Sequence, residues 1–388
     1  MQKKNKFGKI VFVDQYAFIG GGQTVLLNSI EVAYDIFEKI VVIAPGGGAL
    51  EKIIGQKFFG AIEFHSSREI ELTHGSKSLR DYLRLIKGTF SNLWSHICEH
   101  RDADAIYVNG PRLFPAAMLF SVLCRIPAYY HIHINHNRAE KLLINLAAKI
   151  PFTRKIIFNS KYVLDQVIGG DISKNSIGKF LLVNNSLDSK YSSLFLKDRF
   201  SRKDHGLVVA VVGTIRPEKG QDIAVRLAAR IPSLSVHLIG RIGQDAEDWA
   251  ERLIAQKPNN VHVHGDIIDV PNFIDEIGAQ IYLVPSQWAE PFGLVAIEGM
   301  ALSCIAIVSN RGGLMEIAKA TGALAFDSEE QLFEITEDLS EKPAAELRSI
   351  AANQYENTLE TYHMSNYFEE MTVAILNSLP VKRTESVL

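Results

Sequence analysis

Apolar positions along this chain fall in short runs rich in β-branched residues, separated by longer stretches with helical spacing. In the first half the runs are Ile10–Val13, Ile40–Ala44, Ala105–Val108, Ala128–Ile132, Lys155–Phe158 and Phe180–Val183. In the second half they are Leu207–Val212, Ser235–Ile239, Val261–His264, Ile281–Val284 and Ile305–Val308. The alternation predicts βαβ units and parallel sheets, with strands covered by helices on both faces. The most polar gap near the middle is Asp188–His205, with Lys190, Lys197, Asp198, Arg199, Arg202, Lys203 and Asp204, and it predicts an interdomain linker. The division expected is a first domain over 1–190, a linker over 191–205, a second domain over 206–361, and a closing helix and tail over 362–388. Helical spacing from Tyr362 to Leu379 stops before Pro380, and the tail Val381–Leu388 is expected to fray.

Bulk properties narrow the class. The chain has 388 residues, 47% hydrophobic and 22% charged, which suits a soluble protein of two domains. A formal net charge of -3 gives no global basic excess that would point to nucleic acid. The three cysteines, Cys98, Cys124 and Cys304, are far apart and form no CxxC pair, as expected in a reducing cytoplasm. The apolar run after the basic start is too short for a secretion signal, and no uncharged run approaches the ~20 residues of a membrane span. The expected location is therefore cytoplasmic.

Five stretches carry candidate chemistry. The most informative is Ser286-Gln-Trp-Ala-Glu290-Pro-Phe-Gly-Leu-Val-Ala-Ile-Glu298, directly after the run Ile281–Val284. Pro291 suits the first turn of a helix running through Met300, with Glu290 in the loop before it and Glu298 about two turns down. The amides of Phe292, Gly293 and Leu294 would then be unbonded donors at a positive dipole end, suited to a diphosphate. Two carboxylates so placed can accept hydrogen bonds from hydroxyls at different points of one ligand; a capped helix with a solvated Glu is the plain alternative. Gly213-Thr214-Ile215-Arg216-Pro217-Glu218-Lys219-Gly220 leads from a strand into a helix near Gln221, and its two cations suit phosphate, although surface charges on a polar loop read equally well. Gly20-Gly21-Gly22, before a helix near Thr24, lets the backbone approach a ligand closely, yet it is neither GxGxxG nor a Walker A sequence.

The fourth stretch, Ala128-Tyr-Tyr-His131-Ile-His133-Ile-Asn135-His136, ends a strand on the usual ligand side of an open sheet. His131 and His133 share a face, but no carboxylate or Cys stands at local metal-ligand spacing, so no metal site is expected. His262 and His264 repeat that spacing and read as structural. The fifth, Gly312-Gly313-Leu-Met-Glu316, caps a helix or holds a ligand.

Taken together and in this order, these stretches resemble glycosyltransferase family 4 (group 1), the retaining transferases of the GT-B fold. The resemblance covers nearly the whole chain. Glu290 and Glu298 look like the family's E-x7-E pair within EPFGL, which implies that Glu290 meets the donor sugar's hydroxyls and Glu298 the ribose. Lys219 is similar to the lysine that pairs with the donor diphosphate, Gly21 and Gly22 to the glycine loop near the phosphates, and His133 to the active-site histidine on the acceptor side. Asn185-Ser-Leu-Asp188 resembles NGVD, and Gly312-Gly313-Leu-Met-Glu316 resembles GG-x-x-E. Three positions depart: Thr214 stands where the family often has Arg, with Arg216 two residues on; Ser186 replaces Gly; Ile305 replaces Pro.

The resemblance implies two Rossmann-like α/β domains facing across a cleft, with the C-terminal helix crossing back to the first. It implies transfer of a hexosyl-type unit from a nucleoside diphosphate sugar to an acceptor hydroxyl, with retention, no cofactor and no metal. The acceptor expected is a saccharide or lipid-linked saccharide of bacterial surface polysaccharide synthesis. Arg138, Lys141, Lys149, Arg154 and Lys155 bracket Leu142–Ile150, which suits either a peripheral contact with an anionic membrane or a helix packed on the sheet with solvated basic ends. Two alternatives remain: a sugar-nucleotide 2-epimerase on the same fold, and a catalytically silent sugar-nucleotide-binding subunit.

Overall fold

The computed structural model describes residues 6–68, 87, 94–96, 98–168, 178–192, 194–201 and 206–379. The chain divides into two compact units, residues 1–184 with 367–388, and residues 185–366.

The first unit is a parallel sheet of β1 (Phe7–Val13), β2 (Phe37–Pro45), β3 (Ile62–Ser67), β4 (Ala105–Asn109), β5 (Ala128–Ile132), β6 (Thr153–Phe158) and β7 (Phe180–Leu182), in the order β3-β2-β1-β4-β5-β6-β7. Its helices include α1 (Gly21–Ile36), α2 (Ala49–Phe58), α3 (Phe114–Cys124), α4 (Arg138–Lys149) and α5 (Lys161–Ile168); residues 94–96 and 98–99 are also helical. The second unit holds β8 (Val208–Val212), β9 (Ser235–Ile239), β10 (Val261–Val263), β11 (Ile281–Val284), β12 (Ile305–Ser309) and β13 (Leu324–Phe326), in the order β10-β9-β8-β11-β12-β13. With it go α6 (Gln221–Arg230), α7 (Glu247–Gln256), α8 (Val270–Glu276), α9 (Leu294–Ala301), α10 (Gly313–Thr321), α11 (Glu329–Glu341) and α12 (Ala344–Tyr362). A last helix, α13 (Met364–Leu376), closes the described chain.

Both sheets are doubly wound. Strand residues are buried on both faces: Val11, Ile106 and Ile156 on one face of the first sheet and Ile10, Phe12 and Tyr107 on the other, and Val209, Ile281 and Ile307 against Ala210, Tyr282 and Ala306 in the second. In each unit the strand order reverses once, between β1 and β4 and between β8 and β11. Backbone loops diverge at such a switch point and leave a crevice beyond the strands' C-terminal ends. The candidate stretches sit at these places: Gly20–Gly22 follows β1, Gly213–Gly220 follows β8, and Ser286–Gly293 follows β11.

Every predicted strand is present. β3 and β13 were not predicted; both are edge strands, and β3 reads Ile-Glu-Phe-His-Ser-Ser without an apolar run. The polar gap behaves differently from an exposed linker. Tyr191 and Phe200 are buried in the second unit's cores, Arg199 donates to the Leu302 carbonyl and to Asp275, and Lys197 N donates to Ser303 Oγ. These contacts tie the segment to the second unit, and the chain changes unit at 184/185. Residues 193, 202–205 and the predicted frayed tail 381–388 lie outside the described residues.

The closing segment is two helices, broken at His363. Residues from Tyr367 on belong to the first unit: Tyr367 Oη pairs with Ser29 Oγ at 2.7 Å, which also meets Tyr107 Oη at 3.0 Å, and Tyr129 Oη pairs with Ser378 Oγ at 2.8 Å. Among the described residues no helix is long and apolar enough to cross a membrane.

Candidate functional site

In the second unit, the loops after β8 and β11 bring two predicted residues together. Glu290 lies in the loop after β11 and is only 6% exposed. Its Oε1 accepts from Lys219 Nζ at 2.7 Å and from Ser286 Oγ at 2.6 Å. Lys219 ends a 3-10 turn, Pro217–Lys219, and its ammonium also stands 5.5 Å from the centre of the Trp288 ring. Gly220 makes this approach possible: its φ is 72°, and a Cβ there would fall 2.0 Å from the Pro285 carbonyl oxygen. The Glu290 backbone is pinned as well, since its carbonyl accepts from Gly313 N at 2.7 Å.

The helix expected from Pro291 starts later. Gly293 is the N-cap of α9, with φ 111°, and Leu294 is its first residue. Residues 290–292 are drawn instead against the start of α10, through the Glu290–Gly312 bridge. Glycine is required there for the backbone angle, and a side chain would also press on the Leu314 side chain, 2.4 Å from its Cδ2. Glu298 is consequently just over one turn into α9, not two. The Phe292 ring is buried edge-on against Tyr362 at 5.6 Å, leaving only its backbone for a ligand. Among the described residues the amides of Phe292, Gly293 and Leu294 donate to nothing, as expected of an anion site at a helix N-terminus.

Glu298 is half-buried, and its carboxylate has no hydrogen-bond partner among the described residues. Burial pushes its pKa up to about 7, opposed by Lys190 and reinforced by Asp188. Arg216 is engaged elsewhere: its Nη2 donates to both oxygens of Asp245, at 2.8 and 3.1 Å, and its Nε to Glu218 at 3.1 Å. A ligand phosphate would have to displace two carboxylates to take that guanidinium.

In the first unit, His133 follows β5, and its Nε2 meets Asn109 Oδ1 at 2.6 Å. The Asn109 amide nitrogen donates to Asp14 and, at 3.3 Å, to the Gly22 carbonyl. Gln23 Nε2 also donates to Asp14, at 3.2 Å. Because the Asn109 amide nitrogen faces the carboxylate, its oxygen accepts, so His133 carries its proton on Nε2 and keeps the Nδ1 lone pair. Nδ1 is buried without a partner among the described residues. Burial lowers the His133 pKa to about 3, so the ring is neutral at physiological pH. Gly21 and Gly22 are the first residues of α1, three positions before the expected start, and their amides have no acceptor among the described residues.

His131 is fully buried; its Nδ1 bonds to Tyr107 Oη, and its ring packs 4.0 Å from that of His133. His131 is thus tied to Tyr107 and packed beside His133 inside the first unit. Asp14, Asn109, Gln23 and Ser286 were missed by sequence reasoning. Asp14 and Asn109 end or directly follow β1 and β4 at the switch point, and that position was the available signal.

Residues 195–357, which make up most of the second unit, match the family described as Glycosyl transferases group 1. A D-inositol 3-phosphate glycosyltransferase of Stackebrandtia nassauensis is 26% identical over 224 residues, which are 47% of this chain and 48% of that protein. The enzyme of the same description from Mycobacteroides abscessus is 36% identical over 117 residues, 28% of this chain and 25% of that one. The chain thus spans about half the length, or less, of these curated relatives. Among solved structures, Anabaena Alr3699/HepE in complex with UDP and glucose superposes with a TM-score of 0.78 at 20% identity, covering 95% of this chain and 99% of that one. Likeness at this level shows the fold, the two-domain GT-B architecture expected from the sequence.

Proposed function

We propose that the protein is a retaining glycosyltransferase that moves a sugar from a nucleoside diphosphate donor to an acceptor hydroxyl in bacterial surface polysaccharide synthesis. The observation that carries this reading is the Glu290 carboxylate, buried beside Lys219 and Ser286 where α9 offers unbonded amides. Glu290 accepts hydrogen bonds from the donor sugar. Lys219 and the amides of Phe292, Gly293 and Leu294 hold the diphosphate and stabilise the charge that develops as it leaves, without reorganisation at the moment of reaction. Glu298 takes the ribose hydroxyls, for which its unpartnered carboxylate is suited. Neutral His133, fixed by Asn109 and Asp14, positions the reacting centre on the acceptor side, and Gly21 and Gly22 offer amides to the donor. The Anabaena structures hold UDP and UDP-glucose, so UDP-glucose is the first donor to try.

The reaction needs no divalent ion. The sequence's Asp102-Ala-Asp104 pair precedes β4, at the end of the sheet away from the switch-point loops, and is used locally: Asp102 pairs with Lys9 Nζ, and Asp104 Oδ2 accepts from Lys9 N at 2.9 Å. Retention rests on the family resemblance. Both are tested by incubating the protein with nucleotide sugars and saccharide acceptors in excess EDTA, following nucleoside diphosphate release, and reading the product anomer by proton NMR couplings. Diphosphate release and a retained anomer are expected. Activity restored only by magnesium or manganese, an inverted anomer, or a 2-epimer in place of transfer would overturn the respective claim.

The acceptor is proposed to be presented at a membrane surface. Ile144, Ala147 and Ala148 of α4 are buried, yet Leu142 and Leu146 point outward, 61% and 43% exposed. Beside them on α3, Leu119, Val122 and Leu123 are 41%, 40% and 60% exposed, with Arg125, Arg138, Lys141 and Lys149 around the two helices. Apolar side chains rimmed by cations suit an anionic bilayer, where each basic residue adds about 1 kcal/mol. Flotation with vesicles containing phosphatidylglycerol should carry the protein, phosphatidylcholine vesicles should not, and Leu123→Glu with Leu142→Glu should abolish flotation. Equal behaviour of the two vesicle types would defeat the assignment.

A further inference from the structure

A cluster of imidazoles and carboxylates in the first unit is unused by this reading. Glu63 and His65 lie on β3, and by period two they share one of its faces. His96, Glu99 and His100 come from the segment before β4, with His96 and Glu99 three residues apart in helical conformation. Ligand atoms of His65, His96 and Glu99 lie within 4.8 Å of one another, and so do those of Glu63, His65 and His100. Within the cluster, His96 Nδ1 and His100 Nε2 are buried and have no hydrogen-bond partner among the described residues, and His100 is only 5% exposed. Buried imidazole nitrogens are normally satisfied, so the unpartnered His96 Nδ1 calls for an explanation.

We propose that His65, His96 and Glu99 bind one divalent transition-metal ion of the zinc class. The hydrogen bonds around His65 single out this trio. Glu63 Oε1 lies 2.6 Å from His65 Nε2, and Glu63 Oε2 is held by Lys39 at 2.5 Å. An ionised carboxylate can only accept, so His65 carries its proton on Nε2 and presents the Nδ1 lone pair on the opposite side of the ring. There Glu99 Oε2 stands 3.9 Å from Nδ1. Carboxylate, imidazole and an open lone pair facing further ligands is the arrangement that orients metal-binding histidines generally. The other grouping is already supplied with cations: Lys39 holds Glu63, and Lys9 Nζ is 3.5 Å from His100 Nδ1.

Two imidazoles and one carboxylate are a donor set for Zn(II), Ni(II) or Co(II), and a hard ion such as Mg(II) would be poorly held. Donors around a tetrahedral zinc stand about 3.3 Å apart, from bond lengths of about 2.0–2.1 Å. The trio therefore closes by side-chain adjustment, chiefly of Glu99, which is 61% exposed and free to move. The fourth position is left to water. Bound there, the ion ties the edge strand β3 to the helical segment that follows it, a structural role separate from sugar transfer.

The test uses the untagged full chain, stripped with EDTA, dialysed, and titrated with zinc chloride by calorimetry and with Co(II) by visible absorption. One equivalent of zinc is expected, with the intense d–d bands of a low-coordinate Co(II) site. Glu99→Gln and His96→Gln should each weaken binding by more than tenfold, with the circular dichroism of the fold unchanged in the exposed Glu99→Gln variant. Glu63→Gln, which removes only the group that fixes the His65 tautomer, should weaken it about 10–100-fold. Absence of saturable binding overturns the proposal. So does binding that survives both Glu99→Gln and His96→Gln. Binding that disappears in Cys98→Ser, the neighbouring thiol, or in His264→Asn, which packs with His237 and His262 in the second unit, would also overturn it.

Discussion

Glu290→Gln is expected to lower kcat by about two to three orders of magnitude while the protein still folds. The loss follows from replacing an ionised acceptor in a water-poor pocket by a neutral amide, an exchange of about 3–4 kcal/mol where such a group meets the transition state. The stability effect is smaller but not zero. Glu290 is 6% exposed and accepts from both Ser286 and Lys219, so it is more than a solvated loop carboxylate. Gln keeps an oxygen for Ser286 and loses the charge that Lys219 faces. Lys219 is 29% exposed and can turn to water, which limits the cost to about 1–2 kcal/mol. Circular dichroism melts and nucleoside diphosphate release on a verified donor, measured on the same preparation, decide the matter. Turnover at the wild-type rate would remove Glu290 from the chemistry. A variant that does not fold would make it structural, and binding of UDP by the folded variant is the control that separates these outcomes.

Much of this site can be read from the sequence because its residues sit on strand ends. A run of β-branched residues followed by a polar or glycine-containing turn marks a strand's C-terminal end, and that is where ligand loops of parallel sheets lie. Lys219 and Glu290 could be found in that way, one after β8 and one after β11. Their contact could not, because it depends on strand order: β8 and β11 are neighbours only because the sheet reverses between them. The start of α9 was misplaced because Pro291 favours a first helical turn, whereas the Glu290–Gly312 bridge holds the backbone extended there. That tertiary contact overrides local preference. Asp14 was overlooked because nothing next to it in sequence shows that Asn109, ninety-five positions away, will donate to it. The His65–His96–Glu99 group is hidden for the same reason: β3 is an edge strand without an apolar run, and its partners arrive from a separate segment.

The Lys219–Glu290 pair changes what Lys219→Ala should do. In the resting protein Lys219 Nζ lies 2.7 Å from Glu290 Oε1, so the substitution removes two things at once. It strips a cation from a nearly buried carboxylate, leaving Ser286 as that side chain's remaining donor among the described residues, and it takes away a charge that meets the donor diphosphate. The first effect lowers stability by about 1–3 kcal/mol, at the modest end for a buried pair because the lysine is partly exposed. The second lowers donor affinity and kcat together, since a diphosphate interaction is present in the ground state and strengthens as the leaving group gains charge. A combined loss in kcat/KM of about two to four orders of magnitude is expected, with each factor carrying part of it. The two effects separate in a double-mutant cycle. Lys219→Ala with Glu290→Gln leaves no stranded carboxylate, so the melting temperature should recover toward that of Glu290→Gln alone. Activity should not recover, because neither the sugar contact nor the phosphate contact is restored. UDP affinity, measured by calorimetry on fully folded protein, should fall in Lys219→Ala and remain low in the double variant, but stay near wild type in Glu290→Gln. If Lys219→Ala lowers only the melting temperature and the folded protein binds UDP and turns over as before, the lysine serves Glu290 alone, and the diphosphate must be held elsewhere.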